Sequence, residues 1–305
     1  MAVLPPPRSS FRALLRLRNA SDPDGQELRD SWSQTLTELG APAGQAANRP
    51  ASSWPSPDPA VGNYDAGEKI QAAVSEVGQR LCALRTQVVV DGVERVDWTI
   101  QGNGASLVTV REPTLAEATQ AAQDLLLITA PSLPGMRGQR NAVVAYFAHH
   151  LALVPSQHAA VLELLDAAVN VALPPVFTIK NTALVPRPWA LETMLLPERL
   201  ERAPLWHSSF PSGHAVGAYT TATLLSRMVG ANQVLSDTSS ALARIVARNR
   251  ERGWVHTRLD SDAGQAIGVA LGNWLYEAAT SQAATYPLWA SMQEYARQSL
   301  PPSWP

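Results

Sequence analysis

Apolar residues recur along this chain at two different periods, and the change of period divides it. Ile70, Val74, Val77, Leu81 and Leu84 stand near the spacing of one helix face, which predicts an amphipathic helix from Ala66 to Thr86. The next stretch reads as strand. Val88-Val89-Val90 and the run Val93 to Ile100 flank Asp91-Gly92, a two-residue hairpin signal. Ala105 to Val110 adds a third strand after Gly102-Asn103-Gly104. That glycine-rich turn lacks the Lys-Ser/Thr pair and following helix of a phosphate loop, so it is read as a turn.

From Thr114 onward the pattern is helical. Thr114 and Glu117 form a capping box that opens a helix to about Thr129. Further helices are predicted from Arg137 to Leu153 and from Gln157 to Lys180, the latter kinked near its end by Pro174-Pro175. Pro186 and Pro188 impose an extended segment. Three more helices follow: His214 to Val229, Ser236 to Asn249 and Asp260 to Ala279. Gly264, Gly268 and Gly272 repeat every four residues and predict close packing of one helix on another. The C-terminal prolines Pro301, Pro302 and Pro305 read as a surface extension.

The N-terminal part differs from all of this. Residues 1–20 read as loose, Gly25 to Leu39 as a short helix, and Gly40 to Gly62 as an Ala/Pro/Ser-rich loop or arm. The expected organisation is therefore an arm over 1–62 and a mostly α domain over 63–300, with a small β-hairpin insertion near 87–111. Arms of this composition either wrap a neighbouring subunit, giving a homo-oligomer, or are disordered. Both readings stay open, as does the role of the 87–111 piece, which either covers a pocket or builds an oligomer contact.

Composition narrows the function classes. With 305 residues, 46% of them hydrophobic, the chain has ample material for a sizeable core. Its net charge of −2 gives no electrostatic footprint for nucleic acid or an anionic membrane. One cysteine, Cys82, excludes an intrachain disulfide and reads as a buried helix residue. The first twenty residues hold no apolar run of signal-peptide length. The most apolar stretch, Val161 to Phe177, is interrupted by Glu163, Asp166, Asn170 and Pro174-Pro175, short of a membrane span. Cytoplasmic residence is the expectation.

The chemistry concentrates between residues 180 and 260. Lys180 is followed after six residues by Arg187-Pro188; then come Pro211-Ser212-Gly213-His214; then Arg250, with His256 six positions on and Asp260 four beyond that. Arginine forks and a lysine ammonium are the donors that tetrahedral oxyanions take. A Ser-Gly pair entering a helix offers a hydroxyl and backbone N–H groups at the positive end of the dipole. Two imidazoles can divide the work between nucleophile or ligand and acid/base. Each element alone is commonplace; the three segments together are not. His149, His150 and His158 have no spacing that ties them to this set.

In this order the segments resemble the three-part signature of the superfamily that joins type 2 phosphatidic acid phosphatases, bacterial class A acid phosphatases and vanadium-dependent haloperoxidases. That signature reads K-x6-R-P, P-S-G-H and S-R-x5-H-x3-D, and the resemblance covers about residues 160–275. One letter departs: Asn249 stands where the family has Ser. The lipid phosphatases of the superfamily are polytopic, so the resemblance implies one of the soluble branches, with a helical bundle whose three motifs meet at one end. It also implies an oxyanion cradle of Lys180, Arg187, Ser212, Gly213 and Arg250, with His256, His214 and Asp260 as the catalytic groups.

Two branches then compete. In the phosphatase reading the substrate is a small phosphate ester and no cofactor is needed. His256 attacks phosphorus to give a phosphohistidine, Asp260 orients its ring, and His214 protonates the leaving alcohol and then activates water. In the haloperoxidase reading the same cradle holds vanadate on His256, the one metal ligand, with peroxide and halide as substrates. His207, seven positions before His214, reads in two ways: as a rim histidine beside Trp206, or as support for the second branch, because haloperoxidases carry an aromatic there and algal bromoperoxidases a histidine. The string Ser209-Phe210-Pro211-Ser212-Gly213-His214-Ala215 and the stretch His256 to Gly264 look like the phosphatase forms. Haloperoxidases are generally much longer, and many have Trp where this chain has Phe177. The missing export signal speaks against the exported acid phosphatases. Phosphate-ester hydrolysis is the leading expectation, haloperoxidase the alternative, and a non-catalytic oxyanion-binding protein, suggested by Asn249, the third.

Overall fold

The computed structural model describes residues 66–125, 143–153, 155–191, 208–230 and 232–300. The N-terminal arm, His207 and the C-terminal prolines lie outside the described residues. What is described is mostly helical, with one small three-stranded antiparallel sheet.

Helix α1 (Ala66–Gly78) leads into strands β1 (Leu81–Val90), β2 (Val93–Gly102) and β3 (Ala105–Arg111), paired in the order β1-β2-β3. Val90 pairs with Val93 across Asp91-Gly92, and Gly102 with Ala105 across Asn103-Gly104. All four turn residues have positive φ, from 53° to 77°, the conformation that two-residue primed turns require. The predicted hairpin and third strand are thus present, but β1 begins earlier than expected. The helix read from Ala66 to Thr86 stops at Gly78, and its last third is strand. Leu81 and Ala83 face the core at strand period, while Leu84, which fits a helical stripe, is 45% exposed. Cys82, expected inside a helix, is an exposed residue of β1.

After the sheet come α2 (Leu115–Asp124), α3 (Val143–His150), α4 (Pro155–Thr182) and the single turn α5 (Pro188–Leu191). Then follow α6 (Gly213–Val229), α7 (Gln233–Arg252), α8 (Arg258–Thr280) and α9 (Pro287–Gln298). The Thr114–Glu117 capping box opens α2 as predicted. The departure from helical dihedrals in α4 lies at His158 (φ −121°, ψ 25°) near its start, whereas Pro174-Pro175 sit inside the helix. Ala172 and Val176, on either side of the proline pair, are buried. Residues 157–182 of α4 are long and apolar enough to cross a membrane, yet 61% of the most apolar window is buried within the protein.

The centre is the pair α6 and α8, the most extensive contact between elements. Its closeness comes from the glycine stripe. A Cβ on Gly264 would meet Ser212 O at 2.7 Å, and one on Gly268 would meet Val216 O at 2.6 Å. One on Gly272 would meet Thr223 Cβ at 2.7 Å. Only hydrogen at these positions lets the backbones approach this near.

Two apolar cores result. The larger joins α1, α3, α4, α6, α7, α8 and α9; α9, absent from the sequence reading, docks through Trp289, fully buried, whose Nε1 donates to Leu275 O at 2.8 Å. The smaller lies between the sheet and the helices that carry the motif residues. Trp98, Ile100 and Val110 pack with Val176 and Ile179 of α4 and with Ala263, Ile267 and Leu271 of α8. The sheet is therefore a buttress behind the motif-bearing helices.

Candidate functional site

Five segments carry the motif residues. Lys180 sits two residues before the end of α4, Arg187 just ahead of α5, and Ser212 is the N-cap of α6. Arg250 lies in the last turn of α7; His256 is in the loop to α8, and Asp260 in the first turn of α8. Their burial is unusual for charged groups: Lys180 is 7% exposed, Arg187 9%, Arg250 4%, His256 3% and Asp260 0%.

The backbone ties these segments together. Ser212 N–H donates to Asp260 O at 2.9 Å, which joins the N-termini of α6 and α8, and Gly264 lets Ser212 lie against α8. The carbonyl of Arg250 accepts from Val255 N–H at 3.2 Å and His256 N–H at 3.3 Å, fixing the loop on the end of α7. Lys180 Nζ donates to Ser208 O at 2.9 Å and Ser209 O at 3.0 Å. Two of the three ammonium protons are so engaged, and the stem packs 3.8 Å from the Cβ position of Gly213.

His256 is gripped from both sides. Arg187 Nη1 lies 3.2 Å from Nε2 and 3.5 Å from Nδ1, and donates to Val255 O at 2.6 Å. On the other side Ser209 Oγ is 3.5 Å from Nδ1 and donates to Asp260 Oδ2 at 2.6 Å. Asp260 Oδ2 also accepts from Thr257 N–H at 2.7 Å, closing a capping box, and stands 3.6 Å from Nδ1, too far for a direct hydrogen bond. The expected pairing of Asp260 with the ring runs through Ser209, a residue not singled out in the sequence. In the sequence it stands only as the first letter of the Ser209–Ala215 string, with no role of its own.

These contacts favour the tautomer with the proton on Nδ1. The Ser209 hydroxyl proton is committed to Asp260, so toward Nδ1 its oxygen can only accept, and Nδ1 carries the ring proton. A guanidinium can only donate, so Nε2 presents its lone pair toward Arg187. Burial, and then the charges of Arg187, Lys180 and Arg250, hold the His256 imidazole well below its usual pKa. The ring is neutral at physiological pH. Burial, aided by Arg187, also lowers the Lys180 ammonium to about 7, and Asp260 draws it the other way. Burial raises the Asp260 carboxyl despite its hydrogen bonds from Ser209 and Thr257.

At the N-terminus of α6, Ser212 Oγ accepts from Ala215 N–H at 3.4 Å, and Gly213 and His214 are the first two helical residues. Their N–H groups belong to the set that has no partner within the helix. His214 is half-buried there; Phe177 is half-buried on α4, one turn before Lys180; Asn249 is buried beside Arg250. His149 and His150 lie together on α3, with ring centroids 5.5 Å apart, and His158 is buried at the break in α4. No protein-family model matches the chain, and no curated protein matches it significantly.

Such a cluster can hold a multiply charged anion against an imidazole lone pair. Anion charge would offset three buried cations, and the proton on Nδ1 has a path to a carboxylate through one hydroxyl.

Proposed function

We propose that this protein hydrolyses small phosphate esters, as a member of the superfamily of type 2 phosphatidic acid phosphatases, class A acid phosphatases and vanadium-dependent haloperoxidases, with the helical-bundle fold of that group. The observation that carries the reading is the placement of His256: a buried ring whose Nε2 lies 3.2 Å from the Arg187 guanidinium and whose other side reaches Asp260 through Ser209. Nucleophilic nitrogen and anion-binding donors converge there.

Arg187, Arg250 and Lys180 bind the equatorial oxygens, with the Ser212 hydroxyl and Gly213 N–H at the positive end of α6. Nε2 of His256 forms a bond to phosphorus while the bond to the ester oxygen breaks. The departing oxygen takes a proton from His214. The positive ring is stabilised through Ser209 by Asp260. Water then gives a proton to His214 and its oxygen to phosphorus, the P–N bond breaks, and phosphate leaves. No cofactor is needed.

The same donors and the same lone pair fit vanadate, which His256 would ligate and the three cations would hold. Bound there, it would supply Lewis-acid activation of peroxide, the haloperoxidase alternative. That alternative drew its support from His207, outside the described residues.

Rapid quench with a labelled aryl phosphate tests the reading. Wild-type protein is expected to yield an acid-labile, base-stable phosphoenzyme that His256→Ala cannot form. Peroxide-dependent bromide oxidation after vanadate loading, without ester hydrolysis, would give the assignment to the other branch. Anion binding with neither turnover would give it to the non-catalytic reading.

A further inference from the structure

A second basic site lies on another face of α7 and α8. Arg244, Arg248 and Arg252 follow one another at four-residue intervals and stand in a single row on α7, about 12 Å from end to end. Across from them α8 presents Arg258, and Tyr219 and Ile245 help line a cavity of about 550 Å³ between the helices. That volume falls in the range of small-ligand pockets, about 300–1,000 Å³.

The row is not what a solvated helix face usually carries. Like charges four residues apart destabilise a helix, and here two such steps run in succession. Arg244 and Arg248 are exposed, and among the described residues neither makes a hydrogen bond or ion pair. Of the two carboxylates lining the cavity, Asp262 is taken by Arg258 Nε at 2.7 Å. The other, Glu251, is 4% exposed. Arg244 and Arg248 therefore face, in a concave space, two carboxylates of which one is paired with Arg258 and the other is buried.

We propose that this cavity binds a linear polyphosphate, a chain of two or three phosphates, laid along Arg244 and Arg248. Guanidinium forks take phosphate oxygens two at a time, and successive turns of α7 supply a fork about every 6 Å. An organic group on the chain would rest on Tyr219 and Ile245. Burial pushes the Glu251 carboxyl up, against the pull of its hydrogen bond with Ser261 and of Arg258 and Arg248. This inference does not rest on the proposed hydrolysis.

The test is calorimetric titration of the full chain with inorganic tripolyphosphate at low salt, beside Arg244→Ala/Arg248→Ala, Arg244→Lys/Arg248→Lys and Arg187→Ala, each checked for an unchanged melting curve. The alanine pair is expected to weaken binding at least tenfold, the lysine pair severalfold, and Arg187→Ala to leave a tripolyphosphate-binding event intact. Sulfate binding at the motif site should be the same in the alanine pair as in wild type. Absence of binding by the wild type, an alanine pair that binds like it, or loss of all binding in Arg187→Ala would overturn the proposal. A lysine pair of full wild-type affinity would also overturn it, reducing the effect to charge attraction without a built site.

Discussion

Helix α7 contributes arginines to two sets, and what separates them is burial. Arg250 is 4% exposed, whereas Arg248, two residues earlier and so about 200° around the helix, is exposed. Asp260 and Asp262 on α8 repeat the contrast: the first is fully buried beside His256, the second is at the surface with Arg258. A charge in water is screened and interacts weakly; under the surface, burial of the His256 ring together with the charges of Arg187, Lys180 and Arg250 keeps the imidazole neutral. Residue type names the chemistry a site could do, and burial decides whether it is reactive or merely attractive.

The sharpest way to break this contrast is to remove one arginine from each set. Arg250→Ala is expected to lower phosphate-ester turnover by about 10²–10³, the loss seen when one stabilising donor is taken from a preorganised site. Arg248→Ala should leave turnover unchanged. Steady-state kinetics on an aryl phosphate would decide it, and equal losses in the two variants would mean that burial does not divide the sets.

Much of the motif region was legible because its constraints are local. Glycines at intervals of four have few uses in a helix other than close approach, and Gly264, Gly268 and Gly272 are used for that. Asp91-Gly92 announces its turn because few other pairs accept two positive φ values in succession. The misreadings concern choices that are made elsewhere in the chain. Leu81 and Leu84 satisfy a helical spacing, but β2 offers ten residues of backbone pairing to the segment from Leu81 to Val90. That partner is invisible in a local window, which is why Cys82 reads as helical in the sequence and yet lies in β1. Ser209 was missed for a similar reason: a serine has no distinguishing pattern until Asp260 and His256, 51 and 47 residues away, are folded against it.

Gly264 links the legible stripe to the site, and its replacement tests whether the contrast depends on backbone approach. A methyl group there would lie 2.7 Å from Ser212 O and 2.8 Å from Ala215 Cβ. Gly264→Ala should cost about 1–3 kcal/mol of stability through overpacking. Gly78→Ala, where a Cβ meets nothing within 4 Å, serves as the control. The comparison is made on urea midpoints. Equal midpoints for Gly264→Ala and wild type would show that α6 and α8 can separate without penalty, and the geometry around Ser212 would then not depend on the stripe.

The smallest expected effect is the most specific to burial. Lys180 has its ammonium lowered to about 7, whereas in the unfolded chain it titrates near about 10.4. Below pH 7 both states hold the proton, and folding bears the full cost of burying the charge. From pH 7 to about 10.4 the unfolded chain binds more protons, so this contribution to stability improves as pH rises. Anion binding should run the opposite way, because the neutral amine gives up the charge that an oxyanion seeks. Sulfate, which keeps its charge throughout, is expected to bind about tenfold more weakly at pH 8 than at pH 6, following the protonated fraction of Lys180. Lys180→Arg should flatten that limb, since a guanidinium keeps its proton over this range. Isothermal titrations at several pH values would measure both curves. A wild-type affinity that stays level from pH 6 to 8 would mean that Lys180 behaves like a surface lysine, and the distinction between the buried and open cation sets would fail at the residue where burial acts most directly.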